Sequence, residues 1–289
     1  LERALDIRKR VIGTEHPVTA ESFNSLGSLL NSIGSYSQAR ECHEQALAIR
    51  ERVLGLEHPA TAESFNNLGY TLDAMGDPAS ARPYYERALA IRERVLGPDH
   101  PETAQSLNNL GYLLQTLGDL TRAKSQFERA LSIRKRALGP EHPDTAKSLT
   151  NLGTLLQMTG DKVNARGYYE RAMAIWEHGP GSEHQTPSRE AAMAGIINNL
   201  GILQQENRDI AEAQAHHKRA LAIRERALGP DHPDTAMSLW WIGVLAESGG
   251  QREQARAYYQ QAQAIYLKAL GPNHSSTQAV TKALNRLDP

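Results

Sequence analysis

Between Pro101 and Gly139 the apolar residues fall on two helical stripes with a break between them. Leu107, Leu110, Gly111 and Leu114 recur at spacings of three and four, which puts them on one face of a helix. Pro101 suits the first turn of that helix, where its missing N–H costs nothing. Gly118 supplies a left-handed stop, and Asp119 caps the second helix. Ala123, Phe127, Ala130, Leu131 and Leu138 form the second stripe. Gly139 and Pro140 end it. The pattern predicts an antiparallel helix pair, helix A and then helix B.

The same pattern returns every 42 residues. LGLEHP at 54–59 reappears as LGPDHP at 96–101, LGPEHP at 138–143 and LGPDHP at 228–233. NNLGY at 66–70 reappears at 108–112, as TNLGT at 150–154 and as NNLGI at 198–202. Self-similarity at this period indicates a solenoid, in which each unit buries its apolar face only by stacking on its neighbours. The reading is one domain over 1–289, with six helix pairs at 17–54, 59–96, 101–138, 143–178, 187–228 and 233–270. A lone B helix (1–12) precedes them, and a polar A-type cap helix (275–287) closes the array. A glycine recurs in helix A at 27, 69, 111, 153, 201 and 243, although a mid-helix Gly costs about 1 kcal/mol relative to Ala. The expected compensation is close approach to helix B at Ala39, Ala81, Ala123, Ala165, Ala213 and Ala255.

Phe65, Leu68, Gly69, Leu72, Ala81, Tyr85 and Ala88 match the tetratricopeptide (TPR) signature, with Phe65 at its usual Trp position. The longer period, with its LGPDHP loop and extended helix B, resembles the TPR domain of kinesin light chains and similar arrays in bacterial multidomain proteins. The resemblance implies an all-α, right-handed superhelical solenoid acting as a non-catalytic protein–protein interaction scaffold.

Motifs shared by all repeats are structural, so departures from the repeat carry the functional information. The outer face of helix A, stacked along the array, forms a concave surface. It carries Asn66, Asn67 and Tyr70, then Asn108, Asn109 and Tyr112, then Asn151, then Asn198 and Asn199. An amide both donates and accepts, so such a row can read an extended peptide backbone. In kinesin light chains, asparagines at these positions line the cargo-peptide groove, and the resemblance extends that role to the Asn residues here. The plainer alternative is that they are solvent-facing polar residues. Trp240 and Trp241 replace the Asn pair in the sixth unit. Either one faces the groove as an anchor or both are buried; adjacent helical residues point about 100° apart. The fifth unit also departs: His142 to His184 spans 42 residues but His184 to His232 spans 48. The extra residues, within 187–197, should lengthen helix A by more than one turn and present Ala191, Ala192, Met193 and Ile196. That extension is either a docking ridge or a cover over a local gap.

Composition narrows the alternatives. A formal net charge of -1 argues against nucleic acid or an anionic membrane as partner. No apolar run is long enough to span a membrane. A single cysteine, Cys42, excludes a disulfide framework and points to a reducing, cytoplasmic setting. His16, His58, His100, His142, His184, His232 and His274 mark one loop per repeat and are too far apart to share a metal. No catalytic motif, metal site or cofactor fingerprint is present. The IRER phrases at 49–52, 91–94 and 223–226 are expected to complement helix C-termini and to pair with Glu51, Glu93 and Glu225. The Lys and Arg positions of a chaperone-binding carboxylate clamp hold mostly Asn, Ser, Glu and Gln. Two rival readings stay open. The chain opens at Leu1 without Met, so it is expected to extend further and to serve as the regulatory or sensor arm of a larger NTPase or protease. Alternatively, the lone terminal helices pair between copies and build head-to-tail filaments.

Overall fold

The computed structural model describes residues 1–181 and 186–287. Among these residues are 14 helices and no strand. They divide into two compact units, Leu1–Leu155 and Leu156–Pro289. The first contains α1 (Glu2–Val11), α2 (Pro17–Ser32), α3 (Tyr36–Leu54), α4 (Pro59–Ala74), α5 (Pro78–Val95), α6 (Pro101–Thr116), α7 (Leu120–Ala137) and most of α8 (Pro143–Met158). The second contains α9 (Lys162–His178), α10 (Pro187–Glu206), α11 (Ile210–Leu228), α12 (Pro233–Ser248), α13 (Arg252–Leu270) and α14 (Ser275–Leu287).

The loop before each A helix is built by side chains. His16, His58, His100, His142, His232 and His274 are helix N-caps, each accepting through Nδ1 from the backbone N–H two residues on, at 3.1–3.2 Å. They satisfy donors that the first helical turn leaves orphaned. His184 lies outside the described residues, and Thr186 caps α10 instead, accepting from Arg189 N at 3.3 Å. In five loops a buried threonine, such as Thr61 or Thr103, donates to the carbonyl of the loop glycine six residues earlier at 2.8 Å. At the A-to-B turns, Gly34, Gly76, Gly118, Gly160 and Gly250 hold positive φ, whereas Arg208 occupies that place in the fifth unit at φ 64.

In five of the pairs the helix A glycine receives an aromatic plate from helix B. A Cβ on Gly111 would lie 2.7 Å from the Phe127 ring, one on Gly243 2.7 Å from Tyr259, one on Gly69 3.2 Å from Tyr85. His43 and His217 take the same place over Gly27 and Gly201. This corrects the expectation from sequence: the ring one turn further along helix B fills the notch left by Gly, not the alanine. The alanines are nevertheless fully buried.

Consecutive pairs are joined by a buried clasp. Arg50 Nη1 donates to Ser64 Oγ at 2.8 Å and to the Ala60 carbonyl at 2.8 Å. Arg92 grips Ser106 and the Glu102 carbonyl in the same way, and Arg134 grips Ser148 and the Asp144 carbonyl. Arg224 grips Ser238 at 2.8 Å. The first arginine of each IRER phrase is therefore a core residue tying helix B to the next helix A. The second is a surface residue, Arg52 pairing with Glu15 at 2.8 Å and Arg226 with Glu190 at 2.7 Å. Neither pairs with Glu51, Glu93 or Glu225 as the sequence suggests.

Where the clasp is missing, both partners change together. Trp176 stands at the Arg position and Ile196 at the Ser position, and both are buried. Tyr266 and Val280 make the same exchange against α14, within one apolar cluster. The 20-residue α10 is four residues longer than α2, α4, α6, α8 and α12, a little over one turn. Its extra turn packs inward. Arg189 is buried, lies over the Trp176 ring at 5.5 Å and donates to the Trp176 carbonyl, while Glu190 is held by Arg226. Ile196 is 1% exposed and is no part of a surface ridge, because its register assigns it to the joint with α9.

Candidate functional site

In the first unit the outer faces of α2, α4, α6 and α8 carry the asparagine rows. The amides are bonded to one another across repeats. Asn67 Nδ2 donates to Asn24 Oδ1 at 2.7 Å, and Asn109 Nδ2 donates to Asn66 Oδ1 at 2.6 Å. The first asparagine of one repeat thus joins the second asparagine of the next. At the third step Asn151 Nδ2 lies 3.4 Å from the Asn108 amide but is not bonded to it, because the Asn108 oxygen turns to Arg134. Asn108 is buried; with its oxygen toward the guanidinium it accepts from Arg134 Nη1 at 2.5 Å and lies 3.1 Å from Ser148 Oγ. Asn66, Asn67, Asn109 and Asn151 are half-buried, and Asn109 and Asn151 border the cavity described next.

Tyr70 and Tyr112 stand out from this ladder. They occupy equivalent positions on α4 and α6 and are 54% and 57% exposed. Together with Asp73, Tyr85, Gln105, Asn108, Asn109, Arg134, Lys147 and Asn151 they line a cavity of about 330 Å³. Burial raises the hydroxyl pKa of Tyr70, with Tyr36, Tyr112 and Asp73 adding to it. Burial likewise raises the carboxyl pKa of Asp73. Arg134, buried beneath the floor, donates through Nη2 to Gln105 Oε1 at 2.8 Å. Tyr85 and Arg134 come from B helices, so a search confined to the outer face of helix A misses them. Their signal in the sequence is that each is polar at a constant core position.

In the second unit the predicted residues take other roles. Asn198 is buried, its Oδ1 3.0 Å from His217 Nδ1, and so belongs to the core rather than to a lining. Asn199 is half-buried. Trp240 and Trp241 are each half-buried on an aromatic partner. Trp240 lies 5.0 Å from the Tyr259 ring, and Trp241 stacks on His217 at 6.0 Å and 8°. His217 is fully buried and burial lowers its pKa to about 4, so it packs as a neutral ring. Among the described residues no group of His, Cys, Asp and Glu is placed to hold a metal ion, and no helix is long and apolar enough to cross a membrane.

Stacked helix hairpins with a polar, tyrosine-bearing face define a helical repeat protein of the all-α solenoid class. The tetratricopeptide repeat family model matches residues 1–52, 26–94, 74–136, 108–178 and 192–277, and the chain belongs to that family. No curated protein matches it. Among solved structures it is similar to BtubC (BKLC) from P. vanneervenii, at 24% identity and a TM-score of 0.59, over 85% of this chain and 93% of that one. It also aligns with a putative kinesin light chain with nearly identical TPR-like repeats from Podosopora anserina, at 23% identity and a TM-score of 0.46, over 88% of this chain and 97% of that one. Pseudomonas aeruginosa pilF aligns at 22% identity and a TM-score of 0.49, over 91% and 97%. TPR repeats are generally protein–protein interaction scaffolds, and the fold is typically non-catalytic.

Proposed function

We propose that this chain is a non-catalytic scaffold that binds an extended segment of a partner protein along the helix A face of its first unit. The observation that carries this reading is the cavity under Tyr70 and Tyr112. Two aromatic rings, each more than half exposed at equivalent repeat positions, flank half-buried asparagines. Exposed tyrosine beside adaptable hydrogen-bonding groups is the composition of protein-recognition surfaces. The asparagine ladder acts mainly as the frame of this site: with one amide bond committed to the neighbouring repeat, each bonded residue keeps only part of its capacity for a ligand.

Affinity capture from source-cell lysate tests the reading, comparing the native chain with Tyr70→Ser/Tyr112→Ser. These side chains are exposed, so the variant should melt with the native protein. A foreign protein retained by the native chain and lost by the variant supports the site. Equal retention by both moves the binding surface elsewhere, with the half-buried Trp240 and Trp241 of the second unit next to be substituted.

A further inference from the structure

The charges of the Tyr70–Tyr112 cavity are matched at one end and unmatched at the other. Gln105 and Lys147 are equivalent residues of α6 and α8, and Arg134 lies with them. Lys147 Nζ is 2.9 Å from Asp144 Oδ1. Arg134 spends its donors on the Asp144 carbonyl, Ser148 and Gln105, at 2.8–3.0 Å. Both cations are therefore satisfied within the protein.

Two turns along α6, roughly 10 Å by helical rise, Tyr112 marks the other end. Tyr70 is its equivalent on α4, Asp73 lies one turn beyond Tyr70, and Tyr85 is seated over Gly69. Asp73 is the one charged group at this end of the cavity. Among the described residues it has neither an ion pair nor a side-chain hydrogen bond, although it is half-buried. A carboxylate withdrawn from water without a partner is costly, and a cation supplied from outside would relieve that cost. The exposed tyrosine faces beside it attract a cation through their ring quadrupoles. Arginine meets both demands, because its planar guanidinium stacks on an aromatic ring and forks onto a carboxylate.

We infer that the cavity receives an arginine side chain of the bound segment, its guanidinium against Tyr70 and Tyr112 and paired with Asp73. The inference rests on the groove reading of the first unit and adds the chemistry of the ligand.

The test is selection of random, displayed dodecapeptides on the native chain, with affinity then measured on capped synthetic copies. The expected result is that selected sequences share an arginine. Replacing it with citrulline, which keeps the shape and loses the charge, should weaken binding tenfold or more. Asp73→Asn should weaken binding by a similar factor, and the two changes together should cost little more than either alone. Tyr112→Leu should also weaken binding. Peptides weakened by Tyr112→Leu yet indifferent to citrulline and to Asp73→Asn overturn the arginine inference and leave the groove reading standing. Peptides indifferent to every groove substitution, or an empty selection, overturn both. Should Asp73→Asn fail to fold, the citrulline exchange on the native chain decides the matter alone.

Discussion

Asn109 donates its Nδ2–H to Asn66 Oδ1 across 2.6 Å, though the two lie 43 positions apart, one more than the repeat. The extra residue is what turns a recurring pair into a stitch, since the second site of each repeat reaches the first site of the one before. Asn66→Ala and Asn109→Ala should each cost about 1 kcal/mol. Because they remove the same bond, a double-mutant cycle in urea should return a coupling energy of about 0.5–1.5 kcal/mol. Full additivity would show that the amides act independently.

The Arg92–Ser106 clasp should be strongly non-additive. Arg92→Ala strips a buried hydroxyl and a carbonyl of their donor and should cost about 2–3 kcal/mol. Ser106→Val leaves the buried guanidinium short of a partner and should cost at least as much. Arg92→Tyr/Ser106→Val reproduces the Tyr266 and Val280 joint found near the end of the chain and should recover most of the loss. Urea midpoints of the three variants check this, and a double variant weaker than both singles would refute it.

His43 and His217 give the protein a defined acid sensitivity. Each is buried and neutral, with its pKa lowered by burial from 6.5 to about 4. The unfolded chain therefore takes up a proton first as pH falls, so stability from each ring is whole above pH 6.5 and declines between 6.5 and about 4. The decline amounts to about 3 kcal/mol per ring, taking about 1.36 kcal/mol per unit. Melting curves from about pH 7 to about pH 4.5 should show it, and His43→Tyr with His217→Tyr should flatten the profile. An unchanged slope in that variant would place the acid sensitivity elsewhere.

Gly111→Leu should destabilise by about 1–3 kcal/mol or more, since even a Cβ would sit 2.7 Å from the Phe127 ring. Gly111→Leu/Phe127→Ala should regain part of that loss by vacating the space. Thermal melts of both variants decide whether the ring is the obstacle.

Arg208→Gly should stabilise. Arg208 holds φ 64 where the equivalent turns carry glycine, and a left-handed L-residue costs about 1–2 kcal/mol. Part of the gain is returned through the larger unfolded-state entropy of Gly. A net rise of about 0.5–1 kcal/mol is expected by urea denaturation, and a fall would mean that the Arg208 side chain makes a contribution of its own.

Pro, Gly and the two apolar stripes made the helices and their turns legible, because these residues act through local backbone geometry that needs no partner. The asparagine row was legible as a pattern, but its meaning was not. Whether Asn109 reads a ligand or a neighbouring repeat depends on the offset between stacked helices, which is a tertiary quantity. Arg92 was misread for a similar reason: on a helix drawn alone it sits in the last turn like a dipole partner, and only the next hairpin shows that it is buried. Ile196 could have been placed from sequence, since Trp176 and Ile196 replace Arg and Ser together. The same exchange at Tyr266 and Val280 is the clue. The signal lay between positions rather than at either one.

The Arg–Ser clasp carries a further consequence. Three successive joints of the first unit close with the same two residues in the same geometry, so the trailing edge of one hairpin fits the leading edge of any other that carries them. A gene segment encoding one 42-residue repeat could be gained or lost between such joints by unequal recombination, and the new neighbours would meet through an interface already proven elsewhere in the chain. The Trp176–Ile196 joint departs from that shared geometry, since a hairpin offering a clasp arginine to buried Ile196 would leave the guanidinium without its serine.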